Sequence, residues 1–249
     1  MENNSPVNPS ASQLWIKLAI GLFIGFVFAA LIFLMFVTLW STIDEAVRNS
    51  VNNMAFSPLV WLSFLWIWLV SAIFWNIVLA IIYNVSWSED YYDIKLMTSS
   101  ILSANILLLI PFLLLYFFVW TILQDIKMLF ITFAFHLFFS TYLSLTTIDL
   151  VKNPNYAPVY VIWNSVGFIV AVLIFFFVFF LSSTPAWEVQ KNILFYTPIL
   201  SFAIIPFFST LFEKIYYKFY EMWNDFLYIP SISEVLVDEE EVDEVNVKL

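Results

Sequence analysis

From Asn153 to Trp187 no residue carries a charge, and the centre of that run, Val170-Ala171-Val172-Leu173-Ile174-Phe175-Phe176-Phe177-Val178-Phe179-Phe180, has no polar side chain at all. A helix in water needs a solvated face, and this segment offers none. A hydrocarbon core of about 30 Å is crossed by about 20 apolar residues in helical form. The segment is therefore read as a transmembrane helix, and five more runs obey the same logic.

The six runs are Leu14–Trp40, Leu59–Tyr83, Ile101–Leu123, Leu129–Ile148, Val159–Ser182 and Asn192–Phe212, each between 20 and 27 residues. They predict an all-α, polytopic integral membrane protein: a bundle of about six transmembrane helices over 14–212, behind a polar N-terminal segment, 1–13. The fourth run is the shortest and most polar. Composition agrees, with 63% hydrophobic and only 11% charged residues in 249, where soluble domains carry about 25% charge. Lys17 alone of the charged residues enters a run, one turn from its start, where its stem can snorkel to the interface. Trp15, Trp40, Trp120, Trp163 and Trp187 lie near run ends, as an aromatic belt would have them. The polar start of the chain lacks a basic leader and the first run is longer than a signal sequence, so the first helix is expected to stay.

Six crossings put both termini on one side. That side collects Lys17, Lys95, Lys152, Lys214, Lys218 and Lys248, against Arg48, Lys127 and Lys191 on the other. The excess of basic residues predicts cytoplasmic termini in a cell membrane, plasma or inner. Asn84-Val85-Ser86 has the form of a glycosylation sequon, and a glycan there would reverse this orientation.

Two stretches predict amphipathic helices, lying at the interface or extending the span before them. Ser41–Ser57 opens with the capping pattern Thr42-Ile43-Asp44-Glu45 and spaces Ile43, Val47, Val51 and Ala55 by four. Glu213–Ile229 sets Ile215, Phe219, Met222 and Phe226 against Lys214, Lys218, Glu221 and Asp225. Pro230 ends that helix. Beyond it, 230–249 reads as a disordered tail, with seven acids from Glu234 onward against Lys248.

Four features could carry function. Gly21, Gly25 and Ala29 recur every fourth residue, a spacing that lets helix backbones approach closely in a bilayer. The contact is either within the chain or with a second copy or a partner subunit. Thr132, His136, Ser140 and Ser144 form a polar stripe along the fourth helix, with Asp149 at its end. Such a stripe is either interhelical hydrogen bonding or a path for a solute, with Asn76, Asn105 and Asn164 as partners. Pro111, Pro198 and Pro206 predict helix kinks. The matching Ile110-Pro111-Phe112 and Ile205-Pro206-Phe207 raise a three-plus-three inverted repeat, a transporter design. Finally, the tail Glu234–Leu249 could dock a basic partner.

Several classes are excluded by what the sequence lacks. There is no cysteine and one histidine, so no multi-histidine or thiolate metal site forms within one chain. No run contains Asp or Glu, which removes a buried carboxylate pair. No Walker loop, His-Glu-x-x-His or Gly-x-Ser-x-Gly is present. A net charge of −10 argues against nucleic acid as a partner. The leading expectation is a non-enzymatic accessory or assembly subunit, or scaffold, of a membrane complex, needing no cofactor. The alternative is a small-solute transporter or channel with its path around His136.

Overall fold

The computed structural model describes residues 9–41, 58–87, 93–152, 157–180 and 186–227, and these are helical almost throughout. The elements are α1 (Ala11–Ser41), α2 (Pro58–Trp87), α3 (Ile94–Phe118), α4 (Ile126–Lys152), α5 (Ala157–Phe180), α6 (Ala186–Ile199) and α7 (Ile205–Leu227). A π-helical turn, Val119–Leu123, extends α3, and a second, Leu200–Ile204, joins α6 to α7. Among the described residues six segments are long and apolar enough to cross a membrane: Ala11–Met35, Leu62–Tyr83, Ile94–Leu123, Lys127–Val151, Pro158–Phe179 and Asn192–Phe219. They match the six expected runs.

Helix starts differ from the apolar boundaries because caps, not hydropathy, set them. Ser10 and Gln13 make a reciprocal box: Gln13 N donates to Ser10 Oγ at 3.2 Å and Ser10 N to Gln13 Oε1 at 2.9 Å. Residues 11–13, expected in the polar leader, are thereby the first turn of α1. Asp93 accepts from Lys95 N at 2.8 Å and starts α3 seven residues before Ile101. Asp125 does the same for Lys127 N and α4. Between α3 and α4 the chain reverses at Gln124, whose φ of 50° is left-handed.

α4 is the central helix. It packs on α2, α3, α5, α6 and α7, and about two-thirds of its spanning segment is buried, as in the sixth span, against a third or less elsewhere. This accounts for the polarity of the fourth run: its neighbours enclose it, so its Ser and Thr hydroxyls find partners in protein and His136 is packed among rings. Around it Phe64, Trp68, Phe130, Phe133, Phe138, Phe175 and Phe202 fill the core, each at most 2% exposed. Rings meet edge-on or tilted, as Phe64–Phe133 at 5.3 Å and Phe138–Phe175 at 5.7 Å. α3 is the reverse case. Leu107, Leu114, Phe117 and Ile122 project outward, each at least 66% exposed.

Three expectations change. The amphipathic stretch from Glu213 is no separate interfacial helix. α7 runs unbroken to Leu227, because neither proline nor glycine lies between Pro206 and Leu227. Trp163 is 3% exposed, stacked among Tyr160, Tyr216 and Tyr217 within 5.7 Å instead of standing in a belt. The two proline tripeptides also differ. Pro111 is exposed on an uninterrupted α-helix, whereas Pro206 is buried directly after a π turn. Residues 42–57 of the first amphipathic stretch, the side chains of the sequon 84–86, the side chains of Trp40 and Trp187, and the tail 230–249 lie outside what is described.

Candidate functional site

Helix periodicity brings one face of each of α2, α3 and α4 together. Asn76 on α2, Asn105 on α3 and Ser140 and Ser144 on α4 meet there, each at most 1% exposed. Asn76 Nδ2 donates to Ser140 Oγ at 2.9 Å. Ser140 Oγ donates to Asn105 Oδ1 in a short hydrogen bond. Asn105 Nδ2 donates to Ser144 Oγ at 3.1 Å, and Ser144 Oγ to the Ser140 carbonyl at 2.7 Å. Both asparagines also donate to carbonyls one turn back, Ala72 and Ile101. In a low-dielectric interior such a chain is worth most when every member is paired.

One turn along α4 the chemistry changes. His136, 3% exposed, packs between Phe112 at 4.7 Å and Tyr116 at 6.1 Å, ring centre to ring centre. Its Nδ1 has no hydrogen-bond partner, nor do Tyr116 Oη and Asn76 Oδ1. Thr132 turns away from the group: its hydroxyl donates to its own helix at Met128 O, 2.8 Å. Of the expected stripe, then, Ser140 and Ser144 join Asn105 and Asn76, His136 sits in an aromatic slot, and Thr132 is self-satisfied.

Asn164 belongs to a different node. Its Nδ2 donates to Asp149 Oδ2 at 2.9 Å and Thr146 Oγ1 at 3.3 Å, tying α5 to the end of α4. A third node, absent from the sequence reading, joins α4 to the π turn of the sixth span. Ser201 Oγ lies 2.8 Å from Thr141 Oγ1 and 3.2 Å from the Leu137 carbonyl. Thr141 and Thr146 fall between the stripe positions, so a spacing of four missed them. A helix packed on several sides bonds in several directions, and its own sequence does not say so.

The small residues of α1 face the same π turn. A Cβ built on Gly21 would run into the Phe202 carbonyl, and one on Gly25 would lie 2.8 Å from Ile199 Cα. Ala29 is fully buried. This face is occupied by the sixth span of the same chain, so a second copy could reach α1 only over its other faces. Pro198 and Pro206 explain the backbone here. Neither can donate a main-chain bond, and the helix takes the π form between them, with Ile205 N bonded to Leu200 O.

Among the described residues no three His, Cys, Asp or Glu side chains come together as metal ligands. In comparisons with protein-family models, curated proteins and solved structures, no match to this chain was found.

Proposed function

We propose that the chain crosses a cell membrane six times with both termini in the cytoplasm, and that it is a non-enzymatic assembly subunit or scaffold. The helical body anchors the acidic tail Glu234–Leu249, which docks a basic partner. The observation that supports this reading is the consumption of the polar groups on α4. Asn76, Asn105, Ser140 and Ser144 spend their donors on one another, as do Thr141 with Ser201 and Asn164 with Asp149. Polar side chains used as interhelical glue serve packing. The concentrated charge of the chain lies in the tail.

The test is affinity purification from native membranes in mild detergent, comparing the full chain with one ending at Pro230. A partner retained by the first and lost by the second supports docking through the tail. Recovery of the same isolated species from both would end this reading. The second reading, a path for a small solute, draws on His136 Nδ1 and Tyr116 Oη, buried without partners on the α3–α4 seam. It requires His136→Ala to change solute flux in proteoliposomes, and unchanged flux in a folded variant would remove it.

A further inference from the structure

Two lysines sit half-buried at one end of the bundle, with no carboxylate paired to them among the described residues. Lys17 Nζ donates to Thr210 Oγ1 at 2.8 Å and stands 5.7 Å from the centre of the Tyr83 ring, whose hydroxyl donates to the Lys17 carbonyl. Lys214 Nζ donates to the Pro9 carbonyl at 2.8 Å. Among the described residues neither ammonium has an ion pair, and Glu213 is engaged in a contact of its own. An ammonium has three donors, so each keeps donors beyond its one bond. A partly desolvated cation without a counter-charge is costly to hold.

The geometry gathers further positive charge here. α1 and α7 run antiparallel, pairing residue 17 with 210 and residue 9 with 214. Lys214 is thus one turn, about 6 Å, beyond Thr210, and exposed Lys218 is one turn further. The capped first turn of α1 adds the positive pole of its dipole. Just below, exposed Trp15, Ile16 and Phe23 form an apolar strip down α1, with Trp15 against Phe207 at 5.9 Å.

We propose that Lys17 and Lys214, with Lys218 at the rim, bind the phosphate of an anionic phospholipid whose acyl chains lie along Trp15, Ile16 and Phe23. The inference rests on the reading of the chain as membrane-spanning. Position favours a lipid over a free phosphate: the ammonium groups stand where a spanning segment ends and apolar surface begins. Uncompensated cations favour an anionic headgroup over a zwitterionic one.

The full-length protein is first tested for retention in alkaline-washed membranes. Release there overturns the membrane reading itself, separately from the lipid site. Protein purified in neutral detergent is then heated with phosphatidylglycerol, with phosphatidylcholine at equal mole fraction, or with inorganic phosphate. Phosphatidylglycerol is expected to raise Tm by about 3 °C, an increment typical of ligand linkage near ten times Kd, and the others by less than a third of that. Lys17→Gln/Lys214→Gln abolishes the response, and Lys127→Gln, at the other end of the bundle, keeps it. If the double variant does not fold, Lys214→Gln/Lys218→Gln, which leaves the Lys17–Thr210 bond intact, must at least halve the response. Equal shifts with both lipids, an equal shift with phosphate alone, or an undiminished response in the variants overturns the proposal. So does a response seen only in a chain ending at Pro230, which would make the tail the occupant.

Discussion

Gly21 rests against the main-chain carbonyl of Phe202, and Phe202 is the residue four before Pro206, whose missing N–H would have bonded that carbonyl in an α-helix. A glycine in α1 and a proline in the sixth span, 185 positions apart in sequence, are thus two halves of one contact. The carbonyl faces α1, and the absent side chain of Gly21 makes room for it. Close backbone approach of this kind is a principal source of helix association where burial of apolar surface contributes little.

Gly21→Ala is expected to destabilise the bundle by about 1–3 kcal/mol, because the obstacle is backbone and cannot rotate away. Gly25→Ala, facing Ile199 Cα at 2.8 Å, acts in the same direction. Ala30→Leu, on the exposed face of α1, is the control and stays within about 0.5 kcal/mol. Thermal unfolding in detergent reads all three. Matching losses at positions 21 and 30 would mean the face does not matter.

Asn105→Leu removes the acceptor of Ser140 and the donor to Ser144 at once. We expect a loss of about 1–2 kcal/mol, between the membrane average for single bonds and the penalty of orphaned polar groups. A double-mutant cycle with Ser140→Ala should give coupling, since the two side chains share one bond. Ser103→Ala, exposed and bonded only to its own helix, should be near neutral. Strict additivity in the cycle would contradict the network.

His136 separates packing from chemistry. Its ring is held by Phe112 and Tyr116 while Nδ1 is unpaired. If the ring serves packing, His136→Phe keeps Tm close to the parent, while His136→Ala loses about 2–4 kcal/mol by opening a cavity. A Phe variant as unstable as the Ala variant would show that the imidazole nitrogens matter to the fold.

The six-span arrangement predicts sidedness, and the absence of native cysteine makes it directly measurable. Ser10→Cys and Lys218→Cys should react with an impermeant maleimide from one face of sealed vesicles, and Gln124→Cys from the other. All three positions are exposed. Labelling of positions 10 and 124 from the same face would remove a crossing from the first three helices.

The six helices were legible in the sequence because an uncharged apolar run of sufficient length has few alternatives: its backbone must bond internally and its side chains need no water. The crowding of Gly21 and Gly25 was visible as a spacing, and so was the polarity of α4. The partners were not. Hydropathy ranks a segment by its affinity for lipid, and by that measure the fourth run, poorest in apolar residues, looked weakest. In the folded chain it is, with the sixth span, the most enclosed segment, since neighbours on several sides supply the hydrogen bonds its Ser and Thr side chains would lack in hydrocarbon. Likewise Lys17 read as a snorkelling residue, and only the antiparallel packing of α1 on α7 places its ammonium on Thr210. Periodicity determines which residues share a face. Which face meets which helix depends on close packing between segments far apart in sequence, and that was decided by the tertiary structure.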